Sequence, residues 1–183
     1  YAQLLRRAKP TKDTVLVCAQ IRMGTSTANN AKDNVFMSSV DSQKYWSLVR
    51  TKLNQFNTSK LFLTTDSSKL KEEALKLFNG SLILYDMAQP LHLDKDFADE
   101  STVRSCESIE NVIIEFHMLQ NCDVSIVSHS GFGLLGSWNR PKPGENLFVF
   151  TKPDQLDLKR DYANRDNLEF KRIVDLDNDL FFL

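Results

Sequence analysis

The chain has 183 residues, of which 42% are hydrophobic and 26% are charged, and its formal net charge at pH 7 is -1. This length and composition are typical of one folded domain and exclude an intrinsically disordered chain. The near-neutral charge argues against a general binder of nucleic acid or of anionic membranes. The sequence has no run of about 18 apolar residues, so we expect no membrane span in it.

Short apolar segments alternate along the chain with amphipathic ones. Parallel strands need helical crossovers, so this alternation predicts an α/β fold with a mostly parallel sheet and helices on both faces. Ser67 is predicted to open one helix and Gly80 to stop it. The predicted strands cover residues 14–21, 60–65, 81–85, 124–127 and 147–150, the predicted helices cover 42–56, 67–78 and 107–120, and residues 86–102 are predicted to be a loop.

The helix predicted over residues 107–120 has the strongest apolar periodicity in the chain. Its apolar side chains recur at the three- and four-residue spacing of one helical face, which we expect to be buried. The residues on this face are Ile109, Val112, Ile113, Phe116 and Leu119.

The cysteines are Cys18, Cys106 and Cys122, and neither they nor the three histidines have metal-ligand spacing. We therefore expect no metal site. Cys18 lies in an apolar segment and is interpreted as a small buried hydrophobic residue. Cys106 and Cys122 are candidates for a disulfide in an oxidising compartment, although their spacing does not establish one.

Polar and small residues follow the predicted strands at the edge where open parallel sheets bind their ligands. An arginine at this edge, Arg22, has two interpretations: a bidentate grip on phosphate oxygens, or a salt bridge to a carboxylate such as Asp66. With the neighbouring hydroxyls and carboxylates, the set suits a nucleotide diphosphate. Its members are Gln20, Arg22, Gly24, Thr65, Asp66, Asp86, Ser128, His129, Ser130 and Gly131.

Residues 131–136 read Gly-Phe-Gly-Leu-Leu-Gly and match the G-x-G-x-x-G pattern. One interpretation is an oxidoreductase domain that binds NAD(P) or flavin, with Asp154 as the acid that binds the ribose. Against it, Pro141 and Pro143 leave room for only about two turns of helix. The other interpretation is that the glycines form a tight strand-to-helix turn, which is compatible with any nucleotide.

Four segments can be read in order along the chain. The first strand ends in Gln20-Ile21-Arg22-Met23-Gly24, and the second ends in Thr64-Thr65-Asp66. Residues 113–119 read Ile-Ile-Glu-Phe-His-Met-Leu, and residues 123–131 read Asp-Val-Ser-Ile-Val-Ser-His-Ser-Gly. In this order they resemble the donor-binding, C-terminal half of the GDP-fucose-dependent GT-B fucosyltransferases, in the α1,6-, protein-O- and α1,2-fucosyltransferase group. The resemblance implies a Rossmann-like domain that binds a nucleotide sugar.

The resemblance also implies an activity, which is metal-independent fucosyl transfer from GDP-fucose to a glycan or protein acceptor, with no cofactor. Arg22 corresponds to the arginine that binds the β-phosphate and stabilises the GDP leaving group. Ser130 and Ser128 correspond to hydroxyl donors to the phosphates, and Glu115 to an acid that accepts from the guanine edge. Asp66 matches an acid close to the donor, and no general base is assigned. The remaining predicted donor-binding residues are Gln20, Gly24 and Gly131.

The chain departs from the family pattern at three positions. Gln20 replaces the usual histidine, no acid follows Gly24, and Gly131 replaces a second serine. These departures leave open a non-catalytic module that keeps the fold and binds a nucleotide sugar or a partner.

Domain organisation and location follow from the same resemblance. We expect a linker or helix over residues 1–13, the nucleotide-sugar-binding domain over 14–150, and a tail over 151–183 that packs on the domain or is partly mobile. An acceptor-binding domain is expected outside this chain, and no nucleic-acid partner is expected. In a eukaryote we expect the Golgi or ER lumen, with a membrane anchor upstream of Tyr1. Asn57-Thr58-Ser59 and Asn79-Gly80-Ser81 match the N-glycosylation sequon. One or two such matches are expected by chance in a chain this rich in asparagine.

Overall fold

A computed structural model describes residues 1–24, 39–85, 106–151 and 169–172 of the chain. The side chains of residues 39–41, 106–108, 151 and 169–172 are outside this description. The predicted loop over 86–102, Asp86 and Asp154 lie outside the described residues, as does most of the predicted tail.

Helices and strands alternate along the described residues. The helices are α1 (Ala2–Ala8), α2 (Ser39–Leu53), α3 (Ser68–Phe78), α4 (Cys106–Leu119) and α5 (Gly131–Trp138). The strands are β1 (Val15–Ile21), β2 (Ser59–Thr65), β3 (Leu82–Ile83), β4 (Val124–Ser128), β5 (Leu147–Thr151) and β6 (Glu169–Arg172).

The strands form one sheet in the order β3-β2-β1-β4-β5-β6. Strands β1 to β5 are parallel, and β6 pairs antiparallel with β5. The predicted α/β fold with a mostly parallel sheet is therefore confirmed. The chain winds outward in one direction from β1 to β3 and in the other from β4 to β5, so the order reverses between β1 and β4. Open α/β sheets bind ligands outside the carboxyl ends of the strands at such a reversal.

Apolar side chains cover the sheet on both faces because successive side chains of a strand point to opposite sides. On one face, Val17, Ala19 and Ile21 of β1 pack with the buried side chains of α2 and α3. On the other face, Leu16 and Cys18 pack with those of α1 and α4. The central strand is thus buried from both sides, as its continuous apolar sequence predicts.

The start of α3 follows its sequence signal, but the bounds of α2 and the buried face of α4 do not. The helix predicted over residues 42–56 begins and ends three residues earlier, at Ser39–Leu53. The Ser67 side chain caps α3 by accepting a hydrogen bond from the Leu70 N–H at 3.4 Å, as predicted. In α4 the buried apolar residues are Ile114, Met118 and Leu119, whereas Ile113 is 51% exposed. The prediction for this face was therefore wrong in part, because apolar residues occur on more than one side of α4 and periodicity cannot select the side that faces the sheet.

The cysteine interpretation was wrong in part. Cys18 and Cys122 form a disulfide, with their Cα atoms 5.8 Å apart. Cys18 is buried as expected, but it is not a free thiol, and Cys122 is not paired with Cys106. The pairing follows from topology, because β4 lies beside β1 with Val124 opposite Val17 and so places the turn before β4 near the middle of β1.

Strand β6 was not predicted. Its sequence, Glu-Phe-Lys-Arg, is short and mostly charged, so it lacks the apolar signal of a buried strand. Charged side chains of this kind are common on strands at a sheet edge. The strand is nevertheless held by backbone pairing with β5, with Phe170 opposite Phe150.

A buried arginine holds the connection between α5 and β5. The Arg140 side chain is 5% exposed. Burial lowers the pKa of its guanidinium, and the nearby carboxylates of Asp123 and Glu145 oppose that change. The guanidinium donates hydrogen bonds to the backbone carbonyl oxygens of Ser137, Cys122, Asp123, Pro143 and Glu145.

None of the helices in the described ranges has the length and apolar character needed to span a bilayer.

Candidate functional site

The predicted site residues at the ends of β1 and β4 meet at the point where the strand order reverses. The backbone N–H of Arg22 donates to Ser128 Oγ at 3.0 Å, although the two residues are 106 positions apart in sequence. Arg22 is half-buried, and Ser128 is buried. The first and fourth of the motif segments therefore lie side by side in space.

Gln20 connects both serines of the fourth segment. Its side-chain oxygen Oε1 accepts hydrogen bonds from Ser128 Oγ and from Ser130 Oγ, each at 3.0 Å. Ser130 is also the N-cap of α5, and its Oγ accepts from the Gly133 N–H at 3.3 Å. Three of the predicted donor-binding residues thus belong to one buried hydrogen-bond network at the start of α5.

The glycines of the G-x-G-x-x-G pattern have different surroundings. A Cβ atom on Gly133 would lie 2.3 Å from Gln20 Oε1, and one on Gly136 would lie 2.9 Å from side-chain atoms of Leu119. A Cβ on Gly131 would have no heavy atom within 4 Å. Gly133 and Gly136 therefore serve close packing inside the protein. This favours the tight-turn interpretation of the pattern over a dinucleotide site.

Asp66 shapes the chain where it leaves β1. Its two carboxylate oxygens accept the backbone N–H groups of Met23, at 2.8 Å, and of Gly24, at 2.9 Å. Gly24 has a φ of 74°, a left-handed conformation that other residues adopt at a cost. The carboxylate thus fixes the turn that carries Arg22, a positioning role that the sequence did not indicate.

Glu115 lies on α4 and reaches the end of β2. Its Oε2 accepts a hydrogen bond from Thr64 Oγ1 at 2.6 Å, and Thr64 is opposite Gln20 in the sheet register. Glu115 is half-buried, whereas His117 of the same motif segment is exposed. The structure therefore brings Glu115, but not His117, to the carboxyl edge of the sheet.

Tyr45 of α2 supports the site from the other face of the sheet. Its single hydroxyl proton is shared between the backbone carbonyl oxygens of Gln20, at 3.0 Å, and of Ile126. Burial raises the pKa of the Tyr45 phenol well above its ordinary value, and the bond to Gln20 opposes this only in part. A phenol thus links β1 to β4 near the carboxyl ends of the two strands. No sequence pattern signals this hydroxyl.

The turn that carries Arg22, the N-terminus of α5 and the carboxylate of Glu115 all lie at the carboxyl ends of the strands. The first two attract an anion, and the helix N-terminus adds oriented N–H groups. Within the ranges that the structure describes, no group of three or more His, Cys, Asp or Glu residues is placed to hold a metal ion. A cationic side chain and the N–H groups of a helix N-terminus are groups that can bind an anion.

Comparison with known proteins gives matches among solved structures alone, since no family model and no curated protein matches the chain. The chain is similar to the fucosyltransferase NodZ from Bradyrhizobium, with 13% identity, a TM-score of 0.47, and coverage of 93% of this chain and 46% of that chain. For NodZ α1,6-fucosyltransferase soaked with GDP-fucose, the identity is 14%, the TM-score is 0.45, and the coverage is 94% of this chain and 49% of that one. The chain therefore spans about half the length of the solved structures it matches.

Proposed function

We propose that this chain is the donor-binding part of a glycosyltransferase that uses GDP-fucose and transfers fucose to a glycan or protein acceptor without a metal ion. One observation carries the proposal. The segments that resemble the fucosyltransferase motifs end together at the carboxyl edge of the sheet, as the 3.0 Å contact between the Arg22 N–H and Ser128 Oγ exemplifies. That edge is where nucleotides bind in open α/β sheets. The acceptor-binding domain and a membrane anchor are proposed to lie outside this chain.

The proposed reaction requires stabilisation of negative charge. As the fucosyl group leaves, the sugar becomes oxocarbenium-like and charge builds on the departing diphosphate. The Arg22 guanidinium is proposed to bind the β-phosphate and lower the barrier electrostatically, and loss of one such group typically costs about 10²–10³ in rate. An inverting transfer also needs a general base for the acceptor hydroxyl. We propose that the acceptor-binding domain supplies it.

Glu115 is proposed to select guanine. A carboxylate can accept from both the N1–H and the exocyclic amino group of guanine, whereas adenine and uracil do not present this pair of donors. The hydrogen bond from Thr64 Oγ1 to Glu115 Oε2 at 2.6 Å would hold the carboxylate in one orientation. Preference for GDP over ADP and UDP follows from this role.

Calorimetry with GDP, UDP and ADP tests the proposal. We expect the chain to bind GDP in preference to the other two, and Arg22→Ala to abolish that binding. The matched control is Arg50→Ala, which removes an exposed arginine near the end of α2, at the opposite edge of the sheet. Equal binding of all three nucleotides, or binding of none, contradicts the guanine assignment. Unchanged GDP affinity in Arg22→Ala shows that Arg22 is structural.

A non-catalytic module is the second candidate function. It is favoured by Gln20, which stands where the related enzymes have histidine and whose Oε1 is engaged by two serines. GDP binding without any turnover of GDP-fucose, in the presence of the acceptor-binding domain, would support it. The remaining alternative is an oxidoreductase domain that binds NAD(P). An increase in NADH fluorescence when the chain is added would support it.

An oxidising location, the ER or Golgi lumen, is also proposed. The disulfide between Cys18 and Cys122 supports it, because such bonds persist in oxidising compartments and are rare in the cytosol. The sequon residues Asn57 and Asn79 are both exposed, so a glycan would be accommodated at either. Secretion from eukaryotic cells, followed by mass measurement before and after endoglycosidase, tests this. Free thiols and an unchanged mass would contradict it.

A further inference from the structure

Ser128 and Ser130 each donate their hydroxyl proton to a group within the protein. A serine hydroxyl has a single proton to donate. Ser128 Oγ accepts from the Arg22 N–H and donates to Gln20 Oε1. Ser130 Oγ accepts from the Gly133 N–H and donates to the same oxygen. Because the terminal oxygens of a diphosphate are acceptors, neither serine in this arrangement has a proton to offer one.

We propose that Gln20 is a positioning residue for the diphosphate, and that Ser128 and Ser130 act through it rather than by contact with the ligand. This inference rests on the proposed function. One amide oxygen gathers two hydroxyl groups, one from the end of β4 and one from the N-cap of α5. Through them it fixes the backbone of Arg22 relative to the first turn of α5.

The network is buried, so each of its hydrogen bonds depends on the protein partner that now makes it. Gln20, Ser128 and Ser130 are 5%, 3% and 6% exposed, so water does not readily replace a lost partner. Without Oε1, both hydroxyl protons lose their acceptor and the serines must turn to find another. Rotation of either serine side chain also disturbs the hydrogen bond that its Oγ accepts, from the Arg22 N–H at Ser128 or from the Gly133 N–H at Ser130. A change at Gln20 is therefore transmitted to both sides of the proposed diphosphate site.

The packing around Gln20 gives its side chain little freedom to move. Gly133 has no side chain, and a Cβ there would lie 2.3 Å from Oε1 and 2.9 Å from Cδ of Gln20. The amide is thus held between the end of β4 and the backbone of α5. This is the geometry expected of a side chain that sets the distance between two elements.

A double-mutant cycle on ligand affinity tests the proposal. GDP and GMP affinities are measured by calorimetry for the wild-type chain, Gln20→Met, Ser130→Ala and the double variant. We expect each single change to weaken GDP binding about tenfold. The double variant should bind GDP as tightly as whichever single variant binds it less tightly. GMP, which lacks the β-phosphate, should lose less than GDP in every variant. Additive losses, or equal losses for GMP and GDP, overturn the inference.

Further variants separate binding from folding. In Gln20→Glu a carboxylate oxygen still accepts both hydroxyl groups, but burial of the new charge should lower the melting temperature, so the ratio of GDP to GMP affinity is the informative quantity. GDP binding should fall more than GMP binding, because the new charge faces the diphosphate. Gln43→Met and Ser47→Ala, at exposed positions of α2, should change neither affinity. A wild-type chain that does not bind GDP overturns the proposed function and this role together, whereas GDP binding with an additive cycle overturns this role alone.

Discussion

The carboxylate of Asp66 holds the backbone of Gly24 in a left-handed turn. Asp66 Oδ2 accepts the Gly24 N–H at 2.9 Å, and Gly24 has a φ of 74°. The turn directly follows Arg22, so the direction of the proposed phosphate-binding arginine depends on the residue that follows the neighbouring strand β2.

Asp66→Asn should weaken both the fold and GDP binding. An amide presents one acceptor oxygen in place of two, so the N–H of either Met23 or Gly24 loses its partner. Loss of such a bond costs about 1–3 kcal/mol. Urea unfolding and GDP calorimetry measure the two effects, and Asp13→Asn at an exposed position should show neither. GDP affinity equal to that of the wild type would mean that the turn does not position Arg22.

Gly24→Ala should destabilise the chain through backbone strain. A residue with a Cβ pays about 1–2 kcal/mol to adopt a left-handed conformation. Gly144→Ala is the matched control, because a Cβ there has no heavy atom within 4 Å. The difference between the two free energies of unfolding, measured in urea, isolates the strain. Equal values for the two variants would contradict the prediction.

Gly133→Ala and Gly131→Ala should differ although both replace glycines of the same pattern. At Gly133 the new Cβ meets Gln20 Oε1 at 2.3 Å, and overpacking of this kind costs about 1–3 kcal/mol. At Gly131 the space is open, and alanine in a helix is up to about 1 kcal/mol more favourable than glycine. Thermal and urea unfolding measure both. A destabilised Gly131→Ala with a normal Gly133→Ala would reverse the roles assigned to the two glycines.

Arg140→Met should be one of the more damaging substitutions in the chain. It leaves buried backbone carbonyls without the donor that satisfies them, so we expect a loss of about 2–4 kcal/mol in the free energy of unfolding. Arg6→Met, on the exposed side of α1, makes the same chemical change and should cost little. A small effect at Arg140 would show that water satisfies these carbonyls.

Reduction should lower the stability of the wild-type chain. The disulfide joins residues 104 positions apart in sequence, and in the loop-entropy model closure of a loop of about 100 residues is worth about 4–5 kcal/mol. Melting is measured with and without dithiothreitol. The double variant Cys18→Ala/Cys122→Ala should already melt at a low temperature and should not respond to the reductant. A response in that variant would assign the effect to another group.

The sequence predicts the central strands well because they are buried on both faces. β1 and β2 begin and end within one residue of their predicted bounds, since their apolar runs leave no ambiguity. The buried side of α4 was harder to predict, because both Ile113 and Ile114 are apolar and only packing decides between them. The sequence gives no sign of β6, since its stability comes from pairing with β5 rather than from its own side chains.

In the site, too, some features could be predicted from the sequence and others depend on the three-dimensional arrangement of the strands. The position of Arg22, Ser128 and Ser130 at the edge of the sheet follows from counting along the strands. The engagement of Gln20 by both serines does not, because it requires the spatial neighbourhood of β1 and β4 and a missing Cβ on Gly133. The partner of Cys18 was missed for a similar reason, since only the β1–β4 register brings Cys122 close.

The bond between Cys18 and Cys122 also orders the events of biosynthesis. Cys18 leaves the ribosome 104 residues before its partner, and β2 and β3 with their helices are synthesised in the interval. During that time the central strand carries a reduced thiol on a surface that α4 has yet to cover. The native disulfide therefore forms only after α4 has been synthesised, and it covalently joins the half of the sheet that contains β1 to the half that contains β4.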